Sequence, residues 1–328
     1  MRIVVPDDFP PVYTDYPGEL DPLRKYGEVQ VYDTRAADRD ELRARLQGAT
    51  AVINVRAYTV FDADLLSGLP DLKMLSIMGT GTDNVDLQAA AENGIVVTNA
   101  PETSTHSVAE LTIALMLAAA RHIPLTERKV REGEWFHKQG IELYGKTLGV
   151  VGLGAIGQTV ARVGNTLGMR VVAWSYRRDE ERARACGAEL VEFDDLIRES
   201  DVVSLHLRAS PQANGIIGRR EFSMMKQTAI LVNTARGALV DEEALANALR
   251  EGRIFAAGVD VYQREPLPAD SPFRGLDNIA LMPHAGWITD TAFKRLMEVP
   301  VDNVVAYFEG RPAHVVNPAA LDHERQKR

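Results

Sequence analysis

The chain holds one cysteine, Cys186, among its 328 residues. A single thiol excludes a disulfide framework and a cysteine-rich zinc site. Long apolar runs are also missing. The longest uncharged, nearly apolar stretch, Leu111–Ala120, is half of the roughly 20 residues that a bilayer crossing requires. Basic residues are in the minority, 37 against 46 acidic ones, for a formal charge of -9. Such a balance disfavours a nucleic-acid partner, because phosphate neutralisation needs a basic face. It leaves room for one local cationic pocket, since net charge says little about a single site. The opening residues, MRIVVPDDFPP, turn acidic after one short apolar run, unlike a signal peptide. The expectation is a cytoplasmic protein with no membrane and no nucleic-acid partner.

The remaining composition is that of an ordinary globular protein, 45% hydrophobic and 25% charged. At about 100–200 residues per domain, the length predicts two domains. Short β-branched runs alternate with helical stretches over the first hundred residues. Strands are expected at Arg2–Val5, Val29–Tyr32, Ala51–Val55, Met74–Ile77 and Ile95–Thr98, with helical segments at Asp40–Leu46, Ala63–Leu66 and Leu87–Glu92. Repeated βα units of this length imply a parallel, doubly wound sheet covered by helices on both faces. Ser107–Arg121, rich in Ala and Leu, reads as one long buried helix that ends before Pro124.

A second series follows: Thr147–Val151, Arg170–Trp174, Ala188–Val191, Val202–His206, Ala229–Asn233, Ala256–Val259 and Ile279–Met282. Thr289–Phe308 then reads as a long helix that Pro300 should kink, and the polar tail Asp322–Arg328 as a frayed end. No low-complexity linker separates the halves, so the two long helices are expected to cross between domains.

The strand Thr147–Val151 runs directly into Gly152-Leu153-Gly154-Ala155-Ile156-Gly157, with a helix expected from Gln158 to Leu167. In strand–turn–helix context this G-x-G-x-x-G is far more specific than the bare pattern. Gly152 permits the tight turn, Gly154 lets backbone approach a pyrophosphate, and Gly157 lets the helix pack on the strand. The pyrophosphate would sit on the free N–H groups at the helix start. An acidic residue normally ends the next strand and takes the adenosine ribose hydroxyls. Here Ser175 stands at that place, followed by Tyr176-Arg177-Arg178. A small hydroxyl with two guanidinium groups suits a ribose 2′-phosphate. The same residues also suit a solvated basic helix start, because Asp179-Glu180-Glu181-Arg182 continues the charged face.

With these motifs the sequence resembles the D-isomer-specific 2-hydroxyacid dehydrogenase family over nearly its whole length. The segments that carry the resemblance are Gly79-Thr80-Gly81-Thr82-Asp83-Asn84-Val85-Asp86, Asn99-Ala100-Pro101 with Ser107-Val108-Ala109-Glu110, and the glycine-rich turn. Stronger still are Val232-Asn233-Thr234-Ala235-Arg236-Gly237, Asp260-Val261 with Glu265-Pro266, and Pro283-His284-Ala285-Gly286-Trp287, in that order. The resemblance implies a flavodoxin-like substrate domain, 1–100 plus 286–328, and a Rossmann coenzyme domain, 101–285, with the active site in the cleft between them. It also implies a homodimer built largely by the coenzyme domain. Three departures stand out. The carboxylate at position 175 is missing, the family's common Gly and Asn after the proline are both absent from Pro101-Glu102-Thr103-Ser104-Thr105, and Arg208 stands where proline is frequent. The chain also stops soon after the last helix, so the appended regulatory domain of some phosphoglycerate dehydrogenases is not expected.

Reduction of a 2-oxo acid needs a carboxylate clamp and a proton donor, with something to tune that donor. Arg236, straight after the strand Ala229–Asn233, is the expected clamp, able to pair with carboxylate bidentately and polarise the neighbouring carbonyl. His284 is the expected acid/base, since histidine exchanges protons near neutrality. Glu265, stiffened by Pro266, is expected to orient it and favour imidazolium. Asp260 is expected at the nicotinamide edge. Thr105, Gly152, Gly154, Ala155, Ile156, Gly157, Ser175, Arg177, Arg178, His206, Leu207, Arg208, Thr234, Ala235, Arg236, Asp260, His284 and Gly286 make up the expected coenzyme set. His206 also suits a purely structural role at its strand end.

The substrate set expected from the other domain is Arg56, Ala57, Tyr58, Gly79 and Thr80, with Tyr58 either a wall or a loop aromatic. Trp287 is either pocket wall or interdomain packing. Cys186 reads as packing, and the aromatics near Trp135 as a dimer contact, together with the Ser107–Arg121 helix. The expected activity is NAD(P)-dependent, with NADP preferred and NAD possible, on a small acid such as glyoxylate or hydroxypyruvate. D-3-phosphoglycerate oxidation is the alternative within the class, and a dinucleotide-sensing corepressor the alternative outside it.

Overall fold

The computed structural model describes residues 1–55 and 59–326. The expected substrate residues Arg56, Ala57 and Tyr58 therefore lie outside the described residues. The chain forms two compact units, Met1–Ser104 with Asp290–Arg328, and Thr105–Thr289.

In the first unit five strands, β1 (Arg2–Val5), β2 (Glu28–Val31), β3 (Ala51–Asn54), β4 (Met74–Ile77) and β5 (Val96–Thr98), form one parallel sheet in the order β2-β1-β3-β4-β5. This is the flavodoxin-like order, with its switch of direction between β1 and β3. Every residue of β3, β4 and β5 is buried, as in a sheet covered on both faces. The helix Asp290–Phe308 continues through Pro300, where the sequence predicted a kink. Proline removes one N–H from the helix ladder. Side chains of the unit serve carbonyls around it: the buried Tyr13 hydroxyl donates to Met297 C=O at 2.8 Å, and Ser76 donates to Pro300 C=O at 3.0 Å. A last helix, Ala319–Gln326, occupies most of the stretch expected to fray, so that expectation is corrected.

The second unit carries seven parallel strands: β6 (Thr147–Val151), β7 (Arg170–Trp174), β8 (Glu189–Leu190), β9 (Val202–Leu205), β10 (Ile230–Asn233), β11 (Ala256–Val259) and β12 (Ile279–Leu281). Their order is β12-β11-β10-β9-β6-β7-β8. That is the doubly wound dinucleotide order extended by one strand, and it reverses between β6 and β9. Alternate strand residues feed two separate cores. Val151, Val172 and Leu231 pack on one face, while Val150, Val171, Ala173, Ile230 and Val232 pack on the other. Each fully buried side chain of this size contributes about 1.5–3 kcal/mol. The helix Thr105–Ala120 lays Ala109, Leu115, Met116 and Ala119 into the second of these cores. Cys186 is buried there too, its thiol pushed up by burial, which agrees with a packing role.

Candidate functional site

The glycine-rich turn sits at the carboxyl end of β6, beside the point where strand order reverses. That is where open α/β sheets hold their ligands. Gly152 has φ +103°, and a Cβ there would lie 2.7 Å from the His206 carbonyl oxygen. The helix begins at Ala155, three residues earlier than the sequence suggested, so Ile156 and Gly157 are already helical. Gly157 presses on the turn so closely that a Cβ would come within 2.1 Å of Gly152 O. Gly154, by contrast, faces open space and caps the helix with no side chain of its own. The first N–H groups of this helix therefore remain for an anion, and a dinucleotide pyrophosphate fits them.

Around this turn the expected adenosine contacts separate. The Ser175 hydroxyl accepts a hydrogen bond from Leu153 N–H at 2.7 Å and so braces the turn. Arg177 is exposed. Arg178 is held by Glu180 at 2.8 Å and approached by Glu192 at 3.6 Å. Arg182, which motif reading passed over, reaches back over the turn to Leu153 C=O at 3.4 Å. Its signal was only a third arginine one helical turn beyond Asp179, whose carboxylate caps that helix. The Tyr176 hydroxyl donates to Gln212 C=O at 3.0 Å, which ties this corner to the loop after β9 that carries Arg208. In the same loop Leu207 packs against Gly152. His206 lies beside Ser204, Nε2 to Oγ 2.9 Å, and burial pushes its imidazole down to about 3.

The carboxyl ends of β10, β11 and β12, three neighbouring strands, bring the expected reactive groups together. Asn233 ends β10 and shapes the following turn: its side chain accepts from Ala235 N–H at 3.1 Å and donates to Arg236 C=O at 2.9 Å. The Thr234 hydroxyl meets that of Thr112 at 2.7 Å. Arg236 donates one guanidinium hydrogen bond to Ala235 C=O at 2.7 Å. After β11, Glu265 places Oε2 2.7 Å from His284 Nδ1, while its Oε1 accepts from Tyr262 N–H at 3.0 Å. Burial works to raise the Glu265 carboxyl. The His284 hydrogen bond and charge, the Tyr262 N–H and the Arg236 guanidinium outweigh it and hold the group below the ordinary glutamate value.

His284 itself has φ +55°, a conformation that costs roughly 1–3 kcal/mol outside glycine and that the surroundings must enforce. Asp260, almost fully buried, does much of this. Its carbonyl accepts from His284 N–H at 2.7 Å, and its carboxylate accepts from Ala285 N–H at 2.8 Å and Gly286 N–H at 3.0 Å. Ser107 donates to Gly286 C=O, and the Trp287 indole donates to His284 C=O at 3.0 Å. Trp287 thus braces the histidine loop. Burial raises the Asp260 carboxyl, although the two loop N–H groups and His284 pull the other way. Anchoring the loop is a task beside the nicotinamide contact expected of it.

In the first unit, Gly79 and Thr80 follow β4 and are fixed to the segment after β5. Ala100 N–H donates to Gly79 C=O at 2.8 Å, Asn99 donates to Thr80 C=O at 2.8 Å, and the Thr80 hydroxyl donates to Ala100 C=O at 3.1 Å. Thr105 opens the first helix of the second unit. Among the described residues no cluster of His, Cys, Asp and Glu is arranged to hold a metal, and no single helix is long and apolar enough to cross a membrane.

Residues 113–286 match the model of the D-isomer specific 2-hydroxyacid dehydrogenase NAD binding domain. The chain is 40% identical over 313 residues to a glyoxylate reductase of Aeropyrum pernix, an alignment that covers 92% of this chain and 93% of the relative. It is 41% identical over 307 residues to a D-3-phosphoglycerate dehydrogenase of Methanocaldococcus jannaschii, covering 92% of this chain but 58% of the relative. The chain thus spans a little over half the length of that dehydrogenase. A crystal structure of a glyoxylate reductase from Paecilomyes thermophila superposes with a TM-score of 0.88 at 30% identity, over 96% of this chain and 98% of that one.

Proposed function

As the chain belongs to the D-isomer-specific 2-hydroxyacid dehydrogenase family, we propose that it moves a hydride between a nicotinamide coenzyme and a small D-2-hydroxyacid/2-oxo acid pair, of the glyoxylate or hydroxypyruvate type. The observation that carries this is the 2.7 Å contact between Glu265 and His284, next to a strand end that presents Arg236. Bound coenzyme supplies the hydride. Arg236 binds the substrate carboxylate and draws charge from the neighbouring carbonyl. Because Glu265 occupies Nδ1, the proton is delivered to the carbonyl oxygen from Nε2, and it returns there in the reverse direction. The Asp260-anchored loop fixes where that nitrogen points.

NADPH is the proposed preferred coenzyme. Position 175 carries no charge to repel a 2′-phosphate, while Arg177 and Arg182 supply positive charge beside the turn. Arg178 is held by two carboxylates, Glu180 and Glu192, whereas Arg182 pairs, among the described residues, with Asp179 alone, at 3.5 Å. The chain also pairs with a second copy of itself. Trp135, Tyr144, Ile123 and Val130, within 22 residues of one another, are 85%, 75%, 51% and 48% exposed, and this concentration of bare large apolar side chains supports a partner surface. A stable monomer in sedimentation would overturn the pairing.

The deciding experiment is turnover followed by nicotinamide absorbance with glyoxylate, hydroxypyruvate, pyruvate and 3-phosphohydroxypyruvate. Exclusive use of the phosphorylated acid would favour the phosphoglycerate reaction. Coenzyme binding without any turnover would favour the sensor reading and defeat the enzymatic one.

A further inference from the structure

Two carboxylates grip successive N–H groups of one short loop. Glu265 Oε1 takes Tyr262 N–H at 3.0 Å, and Glu242 Oε1 takes Gln263 N–H at 2.6 Å. Glu242 is the first residue of the helix Glu242–Arg250, directly after its cap Asp241. It shares a small pocket with Asn233, Gly237, Val261 and Phe273. The same loop is stitched to the Arg236 segment twice more. The Gln263 side chain donates to Val240 C=O at 2.8 Å, and Gly237 lies so close to the Tyr262 backbone that a Cβ would come within 1.9 Å of its carbonyl carbon.

We propose that Glu242 is a positioning residue of the reactive site: by holding Gln263 N–H, it fixes the loop from which Glu265 reaches His284. This rests on the acid/base assignment of His284 given above. Helix and loop leave the main chain at the ends of different strands, β10 and β11, so nothing covalent within a few residues sets their spacing. The Glu242 hydrogen bond does so together with the Gln263–Val240 bond and the Gly237–Tyr262 contact, and it is the tie made by a carboxylate to the loop backbone. A slack loop would let Glu265 drift from Nδ1, and a displacement of about 1 Å in such a pair is enough to cost on the order of a hundredfold in rate. Burial and the neighbouring Glu265 push the Glu242 carboxyl up, against the pull of the Gln263 N–H, so the post needs an acceptor of this reach rather than a charge. The titratable groups that act on it are Glu265 and the Tyr262 hydroxyl; His284 and Arg236 in turn act on Glu265, and Asp260 on Tyr262.

The test separates where the acceptor sits from what charge it carries. Glu242→Gln keeps an acceptor at the same reach without the charge. Glu242→Asp keeps the charge but withdraws the acceptor by one methylene. Both are read by kcat on the 2-oxo acid and by KM for the coenzyme across the pH profile. Both are also read by NMR titration of the His284 imidazole in the chain without substrate. Thermal melting confirms that each variant is folded.

The expected result is a fall in kcat of about tenfold to a hundredfold for Glu242→Asp. Its KM for coenzyme should stay unchanged, its alkaline limb should move to lower pH and its His284 titration should be altered. Glu242→Gln should stay close to the unmodified protein in all four. The reverse pattern, with Gln damaged and Asp intact, would overturn the proposal, as would two variants indistinguishable from each other. If no 2-oxo acid is turned over at all, the enzymatic reading falls, while the His284 titration still decides whether Glu242 positions Glu265.

Discussion

The Ser175 hydroxyl lies 2.7 Å from the backbone nitrogen of Leu153 and accepts its hydrogen, so the residue expected to face a ribose also braces the glycine-rich turn. An aspartate at 175 can take the same N–H with one oxygen and present the other to the ribose hydroxyls. Ser175→Asp should therefore move preference from NADPH towards NADH. The Arg182 guanidinium reaches the turn, 3.4 Å from Leu153 C=O. Its contact with a 2′-phosphate is worth about 1–2 kcal/mol, or roughly fivefold to thirtyfold in kcat/KM. Arg182→Ala should lose that factor with NADPH and leave NADH unchanged. Arg178→Ala should change neither. Equal kcat/KM for the two coenzymes in the unmodified protein would refute the preference.

His284→Ala should lower kcat by about 10²–10⁴, the usual yield of positioned acid–base catalysis. Glu265→Gln should lower kcat in the same direction by less, because the amide oxygen can still accept from Nδ1 while the charge that favours imidazolium is gone. Arg236→Ala should act mainly on kcat/KM, since a carboxylate clamp works on ground and transition state together. A variant of His284 with unchanged kcat would remove the histidine from the mechanism.

Much of this was legible from the residues. β1, β4, β6, β7 and β11 have the expected ends to the residue, and β1 is the plainest case, a β-branched run between Met1 and Pro6. The strand ends likewise announced Arg236, Asp260 and His284. What could not be read was direction. Sequence spacing placed Arg177 and Arg178 after β7, but only packing shows Arg178 turned to Glu180 and Arg182 turned to the turn. Glu242 carries no motif signal, because its partner is a backbone N–H 21 residues away. Helix starts and tails, such as Ala155 and the last turns before Gln326, depend on caps and contacts that periodicity does not contain.

Asp260→Ala should damage stability and rate together. It strips the acceptor from Ala285 and Gly286 N–H groups at 2.8 and 3.0 Å. Leaving buried donors unmatched costs about 1–3 kcal/mol each; the Gly286 N–H is buried and the Ala285 N–H partly so, and urea unfolding should report a loss of roughly 2–6 kcal/mol. Asp260→Asn should recover only part, because its NH₂ group would face one of the two N–H donors. Wild-type stability in the alanine variant would show that the loop is held from elsewhere.

His206 gives the protein an acid-sensitive term of defined sign. Burial holds its imidazole down at about 3 in the folded chain, against about 6.5 for an unperturbed histidine. Between those values the unfolded chain binds a proton that the folded chain does not. Stability therefore falls as pH drops below about 6.5, with a limiting slope of about 1.4 kcal/mol per unit, and is unaffected above it. His206→Gln can retain the Ser204 partner without titrating. Between about pH 7 and pH 5, the unmodified protein should lose roughly 1–2 kcal/mol more than this variant in urea unfolding. An identical pH dependence would show that His206 does not carry the term.

Glu102 holds φ +60° in the segment Pro101-Glu102-Thr103, a left-handed conformation that glycine adopts freely. A side chain there meets its own backbone, at a cost of about 1–2 kcal/mol that glycine avoids. Glycine also loses more freedom on folding, which offsets roughly half of the gain. The net expectation for Glu102→Gly is a stabilisation of about 0.5–1 kcal/mol, read as a higher urea midpoint with an unchanged slope. Because Glu102 is exposed and no side-chain partner for it was found among the described residues, removing its carboxylate should cost nothing that offsets this gain. Glu102→Ala removes the same carboxylate but keeps a Cβ in the left-handed region. It should therefore show none of the gain, and equal stabilisation by alanine and glycine would mean that charge, not backbone conformation, is what this position opposes.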